Sequence, residues 1–480
     1  NTSPENSINS LTIGATDGDL EVNSDIFNKD DTGTLGGIYY DLYLLTNNDL
    51  TLSNSIETNE DILELGTGGN LTLTMGNITF NNPDGTGTLI LWADFDQDDL
   101  GAITGGSSGA PITLTNIENL ILIAGSGINV YTDADPINIA AYNSTSGEIN
   151  IDNIGDITIF DGTDYVGVPG IDVNGVNNES GGDVNITAHS DVNINAPINT
   201  FGGNLNVSAT ESITHNALGD ITTSGGTYTG NFDSDDNDLG AYTMADIGTD
   251  ASVINIGTGN VYLIGGRLLT GFGGEDITIA QIISDTSSSS VYLVTANGSI
   301  IETTNETGGY DISAKNLFLS SSNGISLDNT NISLLAATNS TSGDITITNT
   351  APTTAGLNIG VISPVSGVEN KGGSISITEN SPIVITAPVI ATGDITLVAN
   401  DSLGSDDGSI TNSGVGTIIS SGGNVSLYAG NDINMGAKIS AADTLTMFAD
   451  DNTVAINNST GTGSIIQTAG TATGPTMNLS

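Results

Sequence analysis

Basic side chains are almost missing from this chain of 480 residues: 5 Lys and Arg stand against 56 Asp and Glu, a net charge of −51. Acidic residues are near their ordinary abundance, so the charge comes from absent cations. A surface without Lys and Arg has no electrostatic footprint for phosphate, which excludes recognition of DNA, RNA or an acidic membrane surface. Cysteine is absent altogether. Disulfides, thiol catalysis and thiolate metal sites are therefore excluded, although export is not. No apolar run approaches the roughly 20 residues of a spanning helix, the longest being of the kind at Leu120-Ile121-Leu122-Ile123-Ala124, so no transmembrane segment is expected. Proline and aromatic residues are also scarce, with 11 Pro and 5% aromatics, whereas glycine reaches 63. The chain starts at Asn1 without an initiator Met, as expected if a leader has been removed or the polypeptide belongs to something longer.

What is present is one short phrase, repeated from end to end. Glycine is followed by a polar residue, an aliphatic, a polar residue and another aliphatic. Instances are Gly18-Asp19-Leu20-Glu21-Val22, Gly69-Asn70-Leu71-Thr72-Leu73, Gly182-Asp183-Val184-Asn185-Ile186, Gly343-Asp344-Ile345-Thr346-Ile347 and Gly423-Asn424-Val425-Ser426-Leu427. The period of two predicts short strands with one buried and one wet face, and the glycine supplies the turn. Gly182 and Gly203 are 21 residues apart, and Gly373 and Gly393 are 20 apart. A repeat of about that length with no helical periodicity predicts an all-β parallel β-helix of about 20 residues per coil. The expected organisation is a single continuous solenoid over residues 1–480, with protruding acidic loops near 94–101 and 231–240.

Two distant stretches fix which side chains face in. With a shift of 241 residues, Val184, Ile186, Ala188, Val192, Ile194, Ala196 and Ile198 fall on Val425, Leu427, Ala429, Ile433, Met435, Ala437 and Ile439. Inward positions stay aliphatic or Ala while the intervening ones vary among polar residues. Outward Thr, Asn and Ser can stack on like residues in parallel ladders, where like charges would repel.

The segments GGNVSLYAGNDINM, GGNLNVSATESIT and SVYLVTANGSIIETTNETGG resemble the repeats of filamentous-haemagglutinin-like proteins and related giant bacterial β-strand-repeat surface proteins. The resemblance covers most of the chain, most strongly residues 180–220 and 290–450. It implies a right-handed coil and an extracellular or cell-surface location, with display as a structural fibre or adhesin. No segment matches that family's N-terminal secretion domain.

Few residues suggest chemistry. Asp94, Asp96, Asp98 and Asp99 form one acidic cluster, and Asp233, Asp235, Asp236 and Asp238 a similar one, each followed by Leu-Gly-Ala. Alternating carboxylates in a turn can converge on calcium, though the Gly and Glu that complete an EF-hand loop are missing. The competing reading is a solvated acidic loop where two coils join. His189 and His215 are 26 residues apart, without the Cys or further His of a metal site, and are expected to be exposed polar residues. Asn-x-Ser/Thr sequons, including Asn70, Asn77, Asn143, Asn185, Asn206, Asn297, Asn305, Asn331, Asn424 and Asn478, are candidate glycan acceptors.

A polysaccharide hydrolase or lyase would need a carboxylate pair or basic residues gathered on one face. Asp406 and Asp407 offer a pair, but Lys29, Arg267, Lys315, Lys371 and Lys438 are widely scattered. The expectation is a secreted, non-enzymatic structural protein that self-assembles, by end-to-end or lateral contact, into a filament or surface layer. An adhesin for cell or glycan surfaces is the alternative.

Overall fold

The computed structural model describes residues 10–15, 20–22, 26–28, 41–58, 61–74, 76–81, 87–94, 100–166, 171, 173–235, 240–247, 250–266, 275–303, 309–350, 356–401, 407–450 and 464–479. Every regular element among them is a strand, and none is helical. No helix among the described residues is long and apolar enough to cross a membrane. The chain divides into two compact units, Asn1–Gly226 and Thr227–Ser480, each a parallel β-helix.

In the first unit, Ile149–Asn153, Val184–Ala188 and Leu205–Ala209 stack in parallel, with Ile149, Val184 and Leu205 in one column and Ile151, Ile186 and Val207 in another. In the second, Ile345–Asn349, Ile375–Glu379, Ile395–Ala399, Val425–Ala429 and Thr444–Ala449 stack the column Ile345, Ile375, Ile395, Val425 and Leu445. These are the aliphatic positions of the repeated phrase. Val184, Ile186, Ile194, Val425 and Leu427 are all 0% exposed and Ile433 is 1% exposed, as the alternation predicts. Each such side chain contributes on the order of 2 kcal/mol on burial, which must offset the entropy of ordering a coil made largely of turns.

Coil length is less uniform than the repeat suggests. Val184 pairs with Leu205 and Ile375 with Ile395, steps of 21 and 20 residues, but Ile149 pairs with Val184 and Ile345 with Ile375, steps of 35 and 30. The extra residues are excursions over the outside of a sheet. In the first unit the segment after Ile157–Ile159 leaves the coil and returns at Val176–Asn178, closed by Gly162 N–H to Val173 O and Gly175 N–H to Phe160 O bonds of 2.9 and 3.1 Å. Its Val166 and Val173 cover outward-facing Ile90, Trp92, Ile121, Ile123, Ala140 and Tyr142. In the second unit the antiparallel hairpin Val361–Ile362 with Val365–Ser366 brings Ile362 and Val365 over Val294, Phe318 and Ala336.

Both excursions end in the same way. Gly175 and Gly367 have φ of 82° and 81°, and a Cβ on either would run into a backbone oxygen of the next coil, Pro197 O or Pro388 O respectively. The carbonyls there are already engaged: Val176 N–H donates to Pro197 O and Val368 N–H to Pro388 O at 2.9 Å. Only glycine combines that backbone conformation with so close an approach.

Candidate functional site

Of the acidic clusters, Asp94 and Asp233 are described at matching places, directly after strands Gly87–Ala93 and Tyr228–Phe232. Both are buried, at 6% and 0% exposure, and both have left-handed backbone, φ 74° and 49°. They turn the chain at a coil corner. Asp235 is exposed, and Asp96, Asp98, Asp99, Asp236 and Asp238 lie outside the described residues.

The two histidines have opposite fates. His189 is on the surface, its Nε2 3.1 Å from Asp152 Oδ1. His215, expected to be exposed, is fully buried: with Ile213 it is one of the two inward residues of Ile213–His215, stacked in register on Ile194. Burial pushes its imidazole down to about 4, against the opposing effect of the Gly219 carbonyl 3.3 Å from Nδ1. It is therefore a neutral core residue at ordinary pH. The sequon at Asn143 is likewise corrected, since this side chain is 0% exposed and cannot carry a glycan in this fold.

Asn143 belongs to an arrangement that the alternation could not reveal. Its Nδ2 donates to Ser146 O at 2.9 Å and to Asn178 Oδ1 at 2.9 Å, while its Oδ1 accepts from Gly127 N–H at 2.8 Å. Asn339 in the second unit repeats each contact, with Ser342 O at 2.7 Å, Asn370 Oδ1 at 3.0 Å and Gly324 N–H at 3.0 Å. Asn153 and Asn349 match as well, pinning the backbone of Ala134 and of Ile332 through both amide atoms. The signal was in the sequence: residues 143–153 read NSTSGEINIDN and residues 339–349 read NSTSGDITITN. These buried amides stitch corners of successive coils together.

Glu379 sits at the next step of the second arrangement. It is 0% exposed, and Asn349 Nδ2 and Ser381 Oγ donate to its two oxygens at 2.6 and 2.5 Å. Among the described residues none of its partners is a cation. Burial outweighs these hydrogen bonds and pushes the carboxyl up to about 7. Its folded value therefore exceeds the ordinary 4.5, so its contribution to stability is complete below that value and is lost as pH rises through about 7. Glu379→Gln should accordingly be more stable than the parent at pH 8, by on the order of 3 kcal/mol, and lose that advantage near pH 4. Thermal melts of both proteins across that range check this; parallel pH profiles would contradict it.

A third cluster, Glu302, Asp311 and Asp328, gathers carboxylate oxygens within 4.8 Å of one another. Backbone donors meet it, Asp328 N–H reaching Glu302 Oε2 at 2.7 Å and Asn329 N–H reaching Asp311 Oδ2 at 3.0 Å.

Two surface features remain. On the outer face of the first unit, Asn129, Tyr131, Asn150, Asp152, Asn185 and Thr187 line a groove of about 300 Å³. In the second unit, the last described coil comprises Ile465–Gln467, Ala472–Thr473 and Thr476–Leu479, which pair in parallel with Ile433–Met435, Ile439–Ser440 and Thr444–Ala449. Among the described residues nothing pairs with its other edge. Met477 and Leu479 stack on Leu445 and Met447, which are 0% exposed, yet are themselves 44% and 54% exposed.

Comparison with protein-family models, curated proteins and solved structures finds no match to this chain, so these sites are read from their own residues.

Proposed function

We propose that this protein is an extracellular structural protein, non-enzymatic, whose β-helical units join end-on into a filament or surface layer. The observation that carries the reading is the stack of parallel coils, in which the column Ile345, Ile375, Ile395, Val425 and Leu445 repeats one backbone register. A coil of this register can template a further parallel strand on its edge. A coil of a second copy set in the same register is a heterologous contact that propagates. The resemblance to bacterial surface repeats supports the extracellular setting.

The test is sedimentation of the chain over a range of concentration and salt. Larger species should form as either is raised. Salt must promote assembly, because it screens the net charge. A chain that stays monomeric at every concentration and ionic strength would sink the proposal.

A further inference from the structure

We infer that the outer groove of the first unit is a binding site for a neutral saccharide. The register places Asn129, Asn150, Asn185 and Asn206 in one outward column and Tyr131, Asp152, Thr187 and Ser208 in the adjacent one. Successive members stand about 4.8 Å apart, as parallel strands require. Asn185 Nδ2 donates to Asn150 Oδ1 at 2.7 Å and Asn206 Nδ2 donates to Asn185 Oδ1 at 2.8 Å. The ladder fixes the orientation of these amides; Asn185 spends one N–H and one lone pair in it, and Asn150 one lone pair, with its Nδ2 also reaching Glu148 Oε2 at 3.5 Å, so each keeps a further donor and acceptor for a ligand. The side chain of Asn129, at the head of the column, makes no hydrogen bond among the described residues and is exposed.

The neighbouring column adds what the amides lack. Asp152 Oδ1 is held by His189 Nε2 at 3.1 Å, which orients the carboxylate and leaves Oδ2 without a protein partner among the described residues. Thr187 contributes a hydroxyl to the lining and Tyr131 an aromatic surface. A pre-oriented carboxylate, a row of half-used carboxamides and one aromatic ring match a pyranose, whose hydroxyls donate and accept at once and whose C–H face packs on an aromatic. The groove volume of about 300 Å³ is at the small end of ligand clefts, suited to one or two sugar rings.

Charge decides against other ligands. An anion would meet Asp152 and a protein carrying −51, with His189 already engaged. An ammonium group would be drawn by that field but has nothing to offer the row of amide N–H donors, which would lose water without a replacement acceptor. This inference is independent of end-on assembly: ligand titration reads one and sedimentation the other.

The experiment uses the full chain with a panel of neutral oligosaccharides of glucose, galactose, mannose and N-acetylglucosamine, plus a sialylated oligosaccharide and spermine as charged probes. Binding is followed by calorimetry and saturation-transfer NMR at low and high salt. At least one neutral member should bind saturably with an affinity unchanged by salt. Tyr131→Ala and Asp152→Asn should each weaken it about tenfold or more, Thr229→Ala on the second unit should not, and all three variants should melt like the parent. The inference is overturned if no neutral sugar binds at tens of millimolar, if both groove variants bind like the parent, or if only a charged probe binds.

Discussion

Replacing Asn339 with leucine should destabilise the second unit by on the order of 4 kcal/mol, although the two side chains are similar in volume. The amide is 0% exposed and serves five partners. Its Nδ2 donates to Ser342 O, Gly343 O and Asn370 Oδ1 at 2.7, 2.9 and 3.0 Å, and its Oδ1 accepts from Gly324 N–H and Ser321 Oγ at 3.0 and 3.2 Å. Leucine would leave several of these buried and unmet, at about 1–3 kcal/mol for each group that finds no substitute. Asn143→Leu should produce a loss of the same order in the first unit, because Gly127 N–H, Ser146 O and Asn178 Oδ1 occupy equivalent places. Denaturant unfolding of both variants measures the effect. A change below about 1 kcal/mol in either would show that the amide column is incidental to stability.

Gly367→Ala should be about as damaging, for a different reason. Left-handed backbone costs a non-glycine residue roughly 1–2 kcal/mol, and the added methyl would also collide with Pro388 O. Relieving that collision means separating the two coils or lifting the hairpin at residues 361–366. The expected result is a loss of about 3 kcal/mol or more, with faster proteolysis near the hairpin as Phe318 loses its cover. Two other glycines separate the causes. Gly202 has φ 117° but nothing within 4 Å of the place a methyl would take, so alanine there should cost only the backbone term, and Gly109, with open space and no left-handed φ, should tolerate alanine. Equal melting temperatures for the three variants would contradict this account.

These two predictions rest on residues of very different visibility in the sequence. The inward columns were legible because the pleat enforces a period of two and burial enforces aliphatic identity; Val184 to Ile198 and Val425 to Ile439 could be aligned across 241 residues on that basis alone. Alternation says which residues share a face but not what covers the outer one. Ile121 and Ile123 therefore read only as part of an apolar run, and their burial depends on an excursion inserted some forty residues later. His215 failed for a related reason, since polarity suggested the surface while coil register put it on Ile194. Glu379 closes the alternating strand Ile375–Glu379; its polarity suggests the surface, but it is an inward residue like Ile375 and Ile377, paired with Asn349 and Ala399 in the neighbouring coils. The outer groove combines residues from three coils, and no spacing rule brings Tyr131, Asp152 and Thr187 together before the coil lengths of 21 and 35 residues are known.

End-on continuation of the coil is the central claim, and electron microscopy of the purified chain at high concentration and raised salt tests it most directly. The account predicts filaments that lengthen along the direction in which the coils stack. A field of dispersed single particles, or assemblies joined only through their sides, would contradict it.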